Sequence, residues 1–104
     1  MTHVPRAELL QQLDGADSDS ARVVDTESMT VGLKRYREGP ANEKGLREHT
    51  DDELYYILDG SGTIAVGDAV HSVAPGDVLY VEKGTSHDVQ EVDEALTVLK
   101  VLAE

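Results

Sequence analysis

Beyond the first twenty residues the chain alternates. Met29, Val31 and Leu33 are separated by polar or small residues, the period of a half-buried strand, so 21–26 and 28–37 read as β-strands. In 54–59, Leu54, Tyr56 and Leu58 share one face, while Glu53, Tyr55 and Ile57 share the other. That segment, LYYILD, carries the strongest strand signal in the chain. Gly60-Ser61-Gly62 reads as a hairpin turn leading into a strand at 63–66. Gly67-Asp68, Pro75-Gly76-Asp77 and Lys83-Gly84 punctuate further short strands at 69–73, 77–82, 87–92 and 95–102. Only the start differs. Residues 5–13 predict a short helix, with proline in its first turn, Leu9, Leu10 and Leu13 on one side, and Asp14-Gly15 as the stop.

About eight short strands joined by glycine turns predict an all-β antiparallel sandwich or barrel. The expected organisation is a helix-and-loop appendage at 1–20, covering one end or edge of the sheet, and a single β-barrel domain at 21–104. A length of 104 residues leaves room for one modest core, so any ligand cavity takes space from stabilising packing.

Composition narrows the functional classes. Asp and Glu number 21 against 9 Lys and Arg, a formal charge of −12 that repels nucleic acid. No run approaches the roughly 20 apolar residues of a membrane span, and MTHVPRAELLQQL lacks the layout of a secretion signal. A cytoplasmic protein is the expectation. Without cysteine there is no disulfide, thiolate nucleophile or thiolate-bound zinc. The lysines are Lys34, Lys44, Lys83 and Lys100 alone. An acid-rich, lysine-poor chain suits either a halophilic protein adapted to high salt or an acidic mesophile. Melting curves from low to multimolar KCl separate the two, since only the first gains stability with salt.

The candidate chemistry is metal chemistry. In Arg47-Glu48-His49-Thr50-Asp51-Asp52-Glu53 the turn-prone centre lets His49 close one strand while Glu53 opens the next. A carboxylate leading an apolar strand face is costly unless it is paired or metal-bound. His87 follows the turn residues 82–86, again at a strand boundary. Two imidazoles and one carboxylate on strand ends make a facial triad that suits a divalent metal ion, Fe, Mn, Ni or Zn. Arg47 shares strand parity with His49 and is expected at the pocket edge. Tyr55, on the Glu53 face, either hydrogen-bonds a ligand or is core, whereas Tyr56 is expected to pack. His3 and His71 are expected to be exposed, and Arg35 and Arg37 to lie on the surface. Asp14, Asp17 and Asp19 lack the glycine and distal glutamate of a calcium loop and read as solvated. No Ser-His-Asp arrangement is arguable.

These residues resemble the motifs of the cupins. The first cupin motif runs G-x5-H-x-H-x3or4-E-x6-G, and here His49, three residues, Glu53, six residues and Gly60 follow it. The second runs G-x5-P-x-G-x2-H-x3-N, and here Gly76, Glu82, Gly84, His87 and Glu91 stand at its spacing. The segment from about 28 to 102 is similar to a small single-domain cupin of type 2, in the RmlC-like jelly-roll superfamily. The resemblance implies a double-stranded β-helix (jelly-roll) barrel of two packed sheets, here with a short N-terminal helix. It also implies a metal at the barrel centre, a small-molecule ligand and a homodimer. The usual three histidines and a glutamate reduce to His49, Glu53 and His87. Arg47 replaces the first histidine, Ala41 the leading glycine, Glu82 the proline and Glu91 the asparagine. Arg47 would either pair with Glu53 in an empty site or anchor an anionic substrate beside the metal. The family hosts oxygenase-like and isomerase-like enzymes as well as non-catalytic sensors, so the resemblance implies no single reaction.

Overall fold

The computed structural model describes residues 3–15, 19–40 and 51–103. In chain order these form α1 (Arg6–Asp14), β1 (Ser20–Asp25), β2 (Met29–Tyr36), β3 (Gly39–Pro40), β4 (Asp52–Val66), β5 (Ala69–Val73), β6 (Val78–Val81) and β7 (His87–Ala103). All strand pairs are antiparallel, in the order β1-β2-β7-β4-β5, with β3 beside β7 and β6 beside β4.

The helix begins where proline permits it. Pro5 is extended (φ −62°, ψ 152°), and its carbonyl accepts from the Glu8 and Leu9 amides. Gly15 closes the other end, donating to the Gln11 carbonyl. α1 packs on β1 and β2, burying Leu13. Arg35 reaches Asp14 at 2.8 Å, Arg37 reaches Asp19 at 2.9 Å, and Arg6 reaches Asp59 at 2.9 Å. These pairs are solvent-exposed and contribute about 0–1 kcal/mol each. Burial of Leu13, about 1.5–3 kcal/mol, outweighs any one of them. Asp14 and Asp19 are therefore ion-pair partners rather than bare loop carboxylates, and Asp17 lies outside the described residues. The two arginines do lie towards the surface.

The hairpin expected at Gly60-Ser61-Gly62 is not there. β4 runs unbroken from Asp52 to Val66, and its partner β7 runs unbroken from His87 to Ala103. Their register shifts four times between Ile57 and Ile64, so the pair bends through bulges rather than reversing. The glycines are required by close approach. A Cβ on Gly60 (φ +87°) would lie 2.1 Å from the Ala95 carbonyl oxygen, and one on Gly62 would lie 2.3 Å from that of Glu91. What looked like two pairs of short strands is two long strands folded over together. The result is one hydrogen-bonded sheet wrapped on itself instead of two separate sheets.

The bend creates the interior. A straight strand from Glu53 to Val66, thirteen residue-to-residue steps, would span about 43 Å, beyond the molecule's longest extent of 37 Å. Folding over brings together the buried cluster of Tyr36, Tyr55, Ile57, Ile64, Val73, Val89, Val92, Leu96 and Val98. The opposite face of β4 and β6 carries Leu54, Tyr56, Val78 and Tyr80, all exposed. Tyr56, expected to pack, is 37% exposed, because the alternation that buries Tyr55 and Ile57 turns it outward. Tyr80 donates to Asp52. Its phenol is held above the ordinary value of 10.0, first by desolvation, then by that hydrogen bond and by the charges of Asp52 and Glu82. The associated stability is present below the ordinary phenol value and is lost as pH rises through the raised one.

Candidate functional site

Glu53 sits in the central strand of three, opposite Val81 of β6 and Leu102 of β7. Ladders on both sides fix its backbone, and its side chain is buried with 3% exposure. His87, the first residue of β7, pairs with Val66 at the far end of β4 and is 4% exposed. Only the fold-over of β4 and β7 lets the two meet. His87 Nε2 lies 3.2 Å from Glu53 Oε2.

The loop before His87 aims the ring. The Thr85 amide donates to the Glu82 carbonyl, the Gly67 amide to the Ser86 carbonyl, and the Lys83 amide to the carboxylate of Asp52. Gly84 takes φ +80°, a conformation that glycine adopts without strain. His87 Nδ1 then stands 3.1 Å from the Thr85 carbonyl oxygen. A carbonyl only accepts, so Nδ1 carries a proton and the ring presents Nε2 to Glu53.

The 3.2 Å separation is within hydrogen-bonding reach, and either a shared proton or a metal ion held by both atoms would bridge it. Donation of the second ring nitrogen to a backbone carbonyl is also how metal-ligating histidines are oriented. An imidazole and a carboxylate at this separation are groups of metal-ligand type. Among the described residues no group of three His, Cys, Asp or Glu side chains comes together. His49 and Arg47 lie outside the described residues.

Tyr55 stands edge-on to the His87 ring, with centroids 6.0 Å apart. Its other neighbour escaped the sequence analysis. Lys100, opposite Tyr55 on β7, places its ammonium 5.0 Å from the Tyr55 ring centroid and 5.2 Å from that of Tyr36. It donates to the Tyr36 hydroxyl at 2.6 Å. Lys34 lies 5.6 Å from the Tyr36 centroid. The available signal was one lysine inside the apolar run 95–102, with the inward parity of Val98 and Leu102. His3 and His71 are exposed.

The cupin-domain family profile matches residues 35–102. An uncharacterized protein of Streptomyces coelicolor is 34% identical over 76 residues, 73% of this chain and 70% of that protein. A transcriptional activator of the helix-turn-helix type, RhaR of Mannheimia succiniciproducens, is 37% identical over 49 residues. That match covers 47% of this chain and 18% of the activator. A structure titled as a putative mannose-6-phosphate isomerase of Ralstonia eutropha superposes with a TM-score of 0.72. It is 21% identical, and the match covers 86% of this chain and 88% of that one. With that profile spanning more than half of its length, this chain belongs to the cupin family.

Proposed function

We propose that the barrel interior holds a divalent metal ion, Fe, Mn, Ni or Zn, through Glu53, His87 and His49, and binds a small organic molecule beside it. The observation that carries this reading is the buried approach of His87 Nε2 to Glu53 Oε2 at 3.2 Å while Nδ1 stands 3.1 Å from the Thr85 carbonyl oxygen. When bound, the metal supplies Lewis acidity or a redox-active centre, which suits isomerase-like or oxygenase-like chemistry. Glu53 contributes the negative charge that makes cation uptake favourable in a buried site. His87 is held in one tautomer by Thr85. Tyr55 walls the site and excludes water, and Arg47, outside the described residues, is our candidate partner for an anionic group.

The test is elemental analysis of protein purified without chelator. Stoichiometric metal is expected in the wild type and none in His49→Ala or His87→Ala. Occupancy is expected to fall below about pH 6, where imidazoles protonate. No metal under any loading condition, or occupancy indifferent to pH from about 8 to 5, would remove the reading.

The match to part of a transcriptional activator favours a second reading, a non-catalytic module that senses a small molecule. In that case the metal is structural or absent, and turnover is not found with metal-loaded protein although ligand binding is. As to partners, Leu54, Tyr56, Val78 and Tyr80 form an exposed apolar face suited to a second copy of the chain. A homodimer is our reading. Sedimentation equilibrium giving the mass of one 11.3 kDa chain at all concentrations would exclude it. Among the described residues no helix is long and apolar enough to cross a membrane.

A further inference from the structure

Nine Lys and Arg residues serve the whole chain against 21 acids, yet three of the nine line one cleft. Arg22, Lys34 and Lys100 share it with Ser20, Thr30 and Leu102, in a volume of about 470 Å³. That size lies within the roughly 300–1,000 Å³ of small-molecule pockets. No carboxylate lines it among the described residues. Strand parity places it on the inner face, since Lys100 is opposite Tyr55 and Leu102 is opposite Glu53.

The Lys100 ammonium is half-buried. The Tyr55 ring, 5.0 Å away at its centroid, and the Tyr36 hydroxyl, which accepts from it, stabilise its charge. Arg22 stands at the rim, where it also pairs with Asp25 at 3.1 Å. Tyr55 neighbours both the His87 ring and the Lys100 ammonium, and so links the Glu53–His87 pair to a residue of the cationic cleft.

We infer that Lys100 and Lys34, with Arg22 at the rim, anchor the carboxylate or phosphate of an anionic organic ligand whose other end reaches the Glu53–His87 pair. The inference rests on the interior being a ligand pocket. It adds the chemical class of the ligand and the residues that select it. In a chain of net charge −12 such a grouping of three cations favours anions that the rest of the surface repels.

The test is titration of wild-type protein with succinate and, separately, with inorganic phosphate, followed by calorimetry. Metal content is read on the same samples. Saturable binding is expected, weakened about tenfold or more in Lys100→Met, as loss of one charged hydrogen bond implies. Lys34→Met is expected to weaken it less, and Lys83→Met, on the outer loop, not at all. The anion bound more tightly identifies the group. Lys34→Met carries the test if Lys100→Met does not fold, and Lys100→Arg is expected to restore part of the affinity. Equal affinity in wild type, Lys100→Met and Lys34→Met, or no saturable binding of either anion, overturns the anchor. Such a result with metal still stoichiometric removes the anchor alone. Anion binding without metal supports the anchor and removes the metal reading instead.

Discussion

Saturating Mn or Zn is expected to raise the unfolding midpoint of the wild-type protein by about 15–30 °C, and to leave Glu53→Gln unmoved. Metal that binds only the folded state stabilises it by about 4 kcal/mol at a thousandfold excess over the dissociation constant. A domain of this size gains about 4–8 °C per kcal/mol. Glu53→Gln preserves volume and removes the anion, so the increment is expected to vanish while the fold remains. The pH dependence distinguishes the two ways of bridging His87 Nε2 and Glu53 Oε2 across 3.2 Å. A metal competes with protons, so its stabilisation grows as pH rises through the ordinary imidazole value of about 6.5. A bridging proton gives no increment that depends on added metal. Differential scanning calorimetry across that range, with metal and with chelator, separates the two. A midpoint that metal does not move would leave the pair as a buried hydrogen-bonded contact.

The second large effect is structural. Gly60→Ala is expected to destabilise the protein by about 3 kcal/mol or more, a large share of the roughly 5–15 kcal/mol available to a domain. Two costs combine. Positive φ penalises a side chain by about 1–2 kcal/mol, and the added Cβ would press on the Ala95 carbonyl, a backbone atom that cannot swing away. Two other glycines separate these costs. Gly62→Ala meets the Glu91 carbonyl without positive φ, while Gly76→Ala (φ +91°) has strain but nothing within 4 Å. The expected order of destabilisation is Gly60→Ala, then Gly62→Ala, then Gly76→Ala, read from urea unfolding. A Gly60→Ala midpoint equal to that of Gly76→Ala would mean that β4 and β7 are not pressed together at the bend.

That bend also marks where sequence reasoning ran out. Period-two alternation put Glu53, Tyr55 and Ile57 on one face, and the structure buries all three. Turn chemistry placed His87 at a strand start, and motif spacing tied it to Glu53 across the chain. Gly60-Ser61-Gly62 was misleading because glycine signals both a reversal and a close approach, and only the neighbouring strand decides between them. Lys100 was invisible for a related reason. Its role depends on Tyr36 and Tyr55, which lie 64 and 45 positions away in sequence and become neighbours only through the β2–β7 and β4–β7 ladders. Tyr56 shows the converse, since aromatic character suggested packing while parity alone decided its exposure.

The continuity of β7 has a consequence for how the chain reaches this state. β2 draws its inner neighbour from the far side of the sequence, 60 positions away at Tyr36–Leu96 and 74 at Met29–Ala103. Closing loops of that size costs entropy before any contact repays it, so assembly is slow and cooperative. The late segment that completes β2 also supplies Lys100 and Leu102 to the cavity wall. Maturation of the pocket and closure of the shell are therefore one event in time.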